Sequence, residues 1–186
     1  MTEFGPTLTT ARLILRPPRH EDFDGFAAMA REEETMRFLG GVGPRDAVWR
    51  GIATLAGSWA LLGYGMFSVL KRDGGEWIGR LGPWRPGGKE GSWPGDEVGW
   101  GLKKSATGQG YAYEGAIAAI DWAFDALGWD HVIHCIDKDN APSIALAKRL
   151  GSKLERKDHR LAPPFEEHLV DIYGQSRAEW NARRRV

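Results

Sequence analysis

Glu97-Val98-Gly99-Trp100-Gly101-Leu102, a four-residue step, and then Thr107-Gly108-Gln109-Gly110-Tyr111-Ala112 form the segment around which the rest of the chain can be ordered. The first six residues read as a strand ending at Leu102. The second six open an alanine-rich helix, Gln109 to Leu127, on which Ala112, Ala116, Ala119, Ile120, Ala123, Phe124 and Leu127 recur at helical spacing. Such a narrow face of mostly small residues can lie close to a sheet, and Gly128 ends the helix. A helix N-terminus leaves several backbone amides unpaired and carries a partial positive charge, so a glycine-lined one can accept a pyrophosphate at close range. Gly-x-Gly also marks ordinary turns, and on spacing alone the two readings weigh about equally.

Upstream, Leu13 and Leu15 alternate with Arg12 and Arg16 as a half-buried strand stopped by Pro17 and Pro18. His20 to Arg37 reads as one helix, with Phe23, Phe26, Ala27 and Ala30 on one face and a solvated run at Glu32 to Glu34. Asp46 to Leu62 is a second amphipathic helix, stopped at Gly63. Met66 to Lys71 and Trp77 to Gly82 are strands joined by a hairpin at Asp73-Gly74-Gly75, and a loop from Pro83 to Gly95 leads to the Glu97 strand. Downstream, Val132 to Ile136 is a strand, and Asp139 or Asn140 can cap a short helix from Pro142 to Leu150. Strands near Lys153 to His159 and His168 to Tyr173, separated by a loop at Pro163 and Pro164, precede a C-terminal helix from Ser176. Strands and helices mix without regular alternation. That predicts an α+β fold, a central and largely antiparallel sheet with a parallel element where the long helix crosses between strands.

Composition narrows the function classes. A chain of 186 residues, 42% hydrophobic and 27% charged, suits one globular domain spanning residues 1–186. Lys plus Arg equals Asp plus Glu at 25 each, so bulk charge gives no case for nucleic acid or an anionic membrane. One cysteine, Cys135, excludes an intramolecular disulfide and a multi-cysteine metal site and fits a reducing compartment, which predicts a cytoplasmic protein without a metal. Residues Met1 to Leu8 show no signal-peptide pattern, and the apolar run at Trp59 to Leu62 is too short to span a bilayer. Nine tryptophans are expected in core and groove; any left exposed would suit a homodimer.

The segment from Thr107 to Ala112 resembles the pyrophosphate loop of the GNAT acyltransferase superfamily: Arg or Gln, two residues, Gly, one residue, then Gly or Ala, directly after the family's fourth strand. Gly110 and Ala112 match, and Thr107 departs from the first position, leaving a backbone cradle of Gly108, Gln109, Gly110, Tyr111 and Ala112. The resemblance covers nearly the whole chain and is closest to the Rim-like branch, the ribosomal-protein N-acetyltransferases. It is carried by Thr10-Ala11-Arg12-Leu13-Ile14-Leu15-Arg16, Trp77-Ile78-Gly79-Arg80, Glu97-Val98-Gly99-Trp100 and Tyr173-Gly174-Gln175-Ser176-Arg177-Ala178-Glu179-Trp180. It implies a GNAT-like sheet whose fourth and fifth strands splay, with the pantetheine arm of acetyl-CoA pairing with backbone near Trp100 and Leu102 and touching Asn140. It also implies transfer of an acetyl group to a primary amine of a small molecule or a protein N-terminus.

Acyl transfer to an amine needs a deprotonated nucleophile, a polarised carbonyl and a proton for the departing thiolate. The resemblance puts the carbonyl near a backbone amide at Trp100 or Gly101. Glu97 is the first choice for general base, against a solvated strand end, with Glu76 and Asp96 weaker. The family's frequent acid, a tyrosine seven residues after the Asn, is Ala147 here, and the Rim-like pattern points instead to Ser143. A thiolate also leaves reasonably well unaided. Cys135 reads as packing, not as a nucleophile, and His131 and His134, three apart on a strand, face opposite ways and make no metal pair. The departures at Thr107 and Ala147 leave a second reading open, an acyl-CoA-binding sensor that does not turn over. A phosphate-loop nucleotide hydrolase is excluded, because no Lys then Ser or Thr follows the glycines.

Overall fold

The computed structural model describes residues 5–88, 91–163, 165–167 and 169–184. Its strands are β1 (Leu8–Thr9), β2 (Leu13–Arg16), β3 (Phe67–Lys71), β4 (Trp77–Trp84), β5 (Glu97–Leu102), β6 (His131–Ile136), β7 (Lys153–Arg160) and β8 (Leu169–Ser176). Its helices are α1 (Phe23–Met29), α2 (Glu33–Met36), α3 (Arg45–Leu62), α4 (Tyr111–Ala126), α5 (Ala141–Leu150) and α6 (Arg177–Arg184). The eight strands form one sheet in the order β1-β2-β3-β4-β5-β6-β8-β7. Every neighbouring pair is antiparallel except β5 and β6, which α4 connects as a crossover. The α+β expectation holds, with a short additional strand at Leu8–Thr9, so the family's fourth and fifth strands are β5 and β6 here.

Strand alternation sorts the side chains into two cores. On one face Leu13, Leu15, Phe67, Val69, Leu81, Val98 and Leu102 pack under α4, whose Ala116, Ala119 and Ala123 are fully buried and let the helix axis come close. On the other face Met66 and Trp77 pack under Phe26 and Met29 of α1 and Ile52 and Leu55 of α3. α5 sits on the α4 side.

The helix expected over His20 to Arg37 is broken. A 3-10 turn at His20–Asp22 leads into α1, and the chain is extended at Glu32 before α2 begins. At the break the Glu32 carboxylate accepts hydrogen bonds from Thr35 Oγ1 at 2.7 Å and from the Lys104 amide at 2.8 Å, the second drawing it away from a continuous helix to the segment after β5. Glu34 pairs with Lys104. Glu32 and Glu34 of the acidic run therefore tie α2 to the segment after β5. β4 extends two residues past Gly82, so the loop begins at Arg85. Asn140, not Asp139, caps α5, its Oδ1 accepting from the Ser143 amide at 3.2 Å. α6 starts with a capping box in which Ser176 and Glu179 exchange hydrogen bonds at 2.9 and 3.2 Å. Met1 to Phe4, Pro164 and His168 lie outside the described residues.

Trp59, Trp77, Trp129 and Trp180 are buried, Trp84, Trp93 and Trp100 line a cleft, and Trp49 is exposed. No helix among the described residues is long and apolar enough to cross a membrane.

Candidate active site

β5 and β6 begin as a parallel pair and then part. Their register holds only at Glu97↔Ile133, where the Ile133 amide bonds the Asp96 carbonyl at 2.9 Å. Divergence leaves backbone groups without strand partners, and in a buried position each must find another. Two side chains take over. The Glu97 carboxylate reaches across to the Cys135 amide, Oε1 to N 3.2 Å, and His134 Nδ1 lies 2.6 Å from the Val98 carbonyl. A carbonyl only accepts, so Nδ1 carries the proton, and Nε2 accepts from the Ser152 hydroxyl at 3.1 Å, which in turn takes a bond from Gln175 at 2.9 Å. Burial lowers His134 to about 4, which agrees with a neutral ring that donates at one nitrogen and accepts at the other. Further along the fork the Trp100 ring packs on His134, centroids 4.7 Å apart, and its indole N–H donates to Ser143 Oγ at 3.2 Å.

Between these bridges lies a cleft of about 200 Å³, lined by residues from both faces of the sheet. On the α4 side it is lined by Trp100, Asn140 and Ser143; on the α1 side by Met66, Arg80, Trp84 and Glu97. The β4–β5 register accounts for the second group: Trp84 faces Glu97, Gly82 faces Gly99 and Arg80 faces Gly101, so all six share one surface. At Gly99 a Cβ would come 2.8 Å from the Met66 methyl and 3.6 Å from Glu97 Oε1, so a larger residue there would push the methionine tip aside and narrow this floor.

Glu97 is buried, and among the described residues no cation pairs with it. Burial pushes its carboxyl up to about 7, against the smaller lowering effect of bonds from Trp93 Nε1, 2.7 Å from Oε2, and from Cys135. A carboxyl so poised exchanges protons near neutrality. Cys135 is raised by burial and by the neighbouring carboxylate, which keeps it a thiol. Ala147 is fully buried in a cluster with Ile136 and Tyr173.

The α4 N-terminus lies on the face of the sheet that α4 covers, and none of Gly108 to Ala112 lines the cleft. Gly108 and Gly110 take φ of 72° and 80°, left-handed values that strain any other residue. The amides of Gly108, Gln109, Gly110, Tyr111 and Ala112 make no hydrogen bond among the described residues. The Gln109 side chain turns back to the Ser105 carbonyl at 2.7 Å and Thr107 Oγ1 to the Lys104 carbonyl at 2.8 Å, so both stabilise the turn and leave its amides open. Arg12 stands beside the turn, bonding the Gln109 carbonyl at 3.0 Å, with its guanidinium 4.5 Å from the Tyr111 ring centroid and 3.4 Å from a Cβ at Gly110. It brings a cation to a loop whose Thr107 lacks one. Free amides at a helix N-terminus with an adjacent cation fit a pyrophosphate. Glu114, one turn in, accepts from Thr10 Oγ1, the Arg12 amide and Arg12 Nε at 2.6 to 2.8 Å, tying the helix start to the β1–β2 corner.

The structure thus brings Glu97, Trp100, Asn140 and Ser143 to one cleft and keeps Gly108 to Ala112 together at the α4 N-terminus. Leu102 is buried near the end of β5, which makes no further backbone pairing with β6 among the described residues. Sequence reasoning passed over Arg80, Trp93 and Arg12 as site residues. Arg80 had a signal, since it shares strand parity with Trp84; Trp93 and Arg12 reach the site only through tertiary packing. Among the described residues no group of His, Cys, Asp and Glu could hold a metal ion.

Comparison with known proteins agrees with this arrangement. Residues 12–153 match the acetyltransferase (GNAT) domain, and the chain belongs to that family. It is 26% identical over 171 residues to the N-acetyltransferase p20 of Bacillus licheniformis, covering 90% of this chain and 93% of that protein. Among solved structures, an acetyltransferase from Agrobacterium tumefaciens superposes with a TM-score of 0.78 at 29% identity, covering 92% of this chain and 95% of that one. Mycobacterium smegmatis RimJ, solved with CoA-disulfide, superposes with a TM-score of 0.71 at 18% identity, covering 90% and 83%, a likeness of fold.

Proposed function

We propose that residues 1–186 form one acyl-CoA N-acyltransferase domain that moves an acetyl group from acetyl-CoA directly to a primary amine of a small molecule or a protein N-terminus. The observation that carries the reading is the buried Glu97 carboxyl, raised to about 7, in a cleft lined from both faces of the sheet. The amides of Gly108 to Ala112, with Arg12 beside them, would hold the pyrophosphate. Asn140 and the β5 edge at Trp100 and Leu102 would line the pantetheine. When bound, acetyl-CoA supplies a thioester whose C–S bond breaks as the new N–C bond forms.

This chain's residues then handle two protons. Glu97 in its ionised form takes one from the acceptor ammonium, which frees the nitrogen lone pair for attack. Ser143 Oγ receives the Trp100 indole N–H as acceptor, so its own proton remains available for the departing sulfur. Backbone N–H at Trp100 or Gly101 would polarise the carbonyl. Calorimetric titration with acetyl-CoA, paired with thiol release over a panel of amines, tests the reading. Binding lost in Gly110→Glu, together with release lost in Glu97→Gln, is the expected pattern. Binding without release on any amine would leave a cofactor sensor, and no binding at all would overturn the assignment.

A further inference from the structure

Two arginines stand in the same row of the sheet, because the register runs Arg16↔Ser68 and Ser68↔Arg80. Their surroundings differ completely. Arg16 is buried and satisfied: its two terminal nitrogens each lie 2.8 Å from an oxygen of Asp22, and Nη2 also reaches Glu21 at 2.9 Å. Arg80 has no such partner. Its Nη1 lies 3.3 Å from the Met66 sulfur, a weak acceptor, and no carboxylate among the described residues pairs with it. Burial lowers its affinity for a proton below the ordinary arginine value, the mark of a desolvated cation. The side chain is half-buried at the cleft wall, so its fork keeps donors free for an anion that enters there.

Arg80 lines the cleft. It does so on the α1 face, whereas the free amides of the α4 N-terminus serve the opposite face, so it is not a second contact for the pyrophosphate. On its own face it lies four residues along the β4–β5 ladder from Glu97, about 13 Å between backbone rows. Met66 stands between the two: its sulfur is 3.3 Å from Arg80 Nη1, and its methyl lies over Gly99, where Glu97 Oε1 also comes within 3.6 Å of a Cβ position. Of the other charged groups lining the cleft, Arg37 rests over the Phe38 ring at 5.0 Å without an ion pair among the described residues, and Asp137 is on the α5 side, accepting from the Asp139 amide at 2.8 Å. The α1 side therefore presents one base and two cations with no anion of their own.

We propose that the acceptor is a small amine that carries its own carboxylate, of the amino-acid type, with the carboxylate held by Arg80 and the amine facing Glu97. This rests on the acyltransferase reading above and narrows it. A bidentate guanidinium–carboxylate pair in a cleft of this size fixes orientation as well as affinity, and it would aim the nitrogen at the fork where the thioester arrives.

The test measures thiol release for a panel of amino acids against the corresponding amino-acid amides, with wild type, Arg80→Gln and Arg80→Lys. The expected result is a preference of about tenfold or more in kcat/KM for the free carboxylate, lost in Arg80→Gln and partly restored in Arg80→Lys. Titration of the CoA-bound protein with N-acetyl amino acids and their amides reads the same preference without turnover. CoA titration of each variant reports whether fold and cofactor groove persist. Equal use of acids and amides by wild type, or a preference that survives Arg80→Gln, overturns the proposal while leaving the acyltransferase reading intact. A preference for succinyl-CoA over acetyl-CoA that disappears in Arg80→Gln overturns it differently, by moving the carboxylate to the acyl donor. Failure to bind any CoA ester would instead remove the acyltransferase reading itself.

Discussion

Glu114 and Glu97 are both glutamates that receive several hydrogen bonds, yet they are pushed in opposite directions. At Glu114, partial burial raises the carboxyl, but the bonds from Thr10 and Arg12 and the Arg12 charge outweigh it, and the group ends below its ordinary value. At Glu97 burial is complete, the bonds come from the neutral Trp93 and Cys135, and the group ends up at about 7. At Glu97 the bonds from neutral donors do not offset full desolvation, whereas at Glu114 the bonds and charge of Arg12 outweigh a partial one. One carboxylate thereby serves as a tether at the helix start and the other as a titrating group in the cleft.

Replacing each glutamate should break this contrast in a different way. Glu97→Gln removes the titrating group while keeping most of its shape, and kcat/KM should fall by about a hundred- to ten-thousandfold. The rise of kcat/KM with pH through about 7 should vanish in the same variant, as a pH–rate profile would reveal; a profile that keeps that limb would assign the base elsewhere. Gly110→Glu places charge and bulk in the αL turn, and calorimetry should find CoA affinity weakened about a hundredfold or more, ~2.7 kcal/mol. Ser143→Ala should lower kcat by only about tenfold, because a thiolate leaves reasonably well unaided. A much larger loss would make proton delivery to sulfur a dominant step.

The smallest effects concern stability, and their signs oppose each other. Glu97 has a folded value above its unfolded one, so its contribution is most favourable below about 4.5 and is lost as pH rises toward about 7. Glu114 has a folded value below its unfolded one, so its contribution is present above about 4.5 and is lost as pH falls through the folded value. Thermal unfolding should find Glu114→Gln less stable by about 1 kcal/mol at neutral pH, a modest figure because Arg12 is half exposed and water screens the pair. In Glu97→Gln the fall of stability between about 4.5 and about 7 should flatten. A Glu97→Gln protein with an unchanged slope there would sink the burial argument.

Much of the fold was legible because it rests on local chemistry. The Glu97–Leu102 strand has the bounds expected of it, and Gly63, Asn140 and Ser176 end or start helices where their residue types favour it. The expectation failed at Glu32. Helical spacing runs straight through that residue, and only Lys104, 72 positions away, gives its carboxylate a reason to break the helix. In the cleft, Glu97 and Ser143 could be singled out from their places in a strand and a helix start. That Glu97 would be desolvated could not, because this depends on Trp93 from the preceding loop and Cys135 from the next strand closing over it.

By itself, the sequence determined the alternation of strands and helices, the glycine turn that opens α4 and the residue types available for acid–base work. These follow from periodicity, φ preference and side-chain chemistry, each a property of a few neighbouring residues. Only the tertiary structure decided which carboxylate is pushed toward neutrality, which arginine is left without an anion among the described residues and that the cleft is lined from both faces of the sheet. All three depend on where β5 and β6 part and on what dense packing excludes from the gap, and dielectric and pairing are set by atoms far apart in the chain.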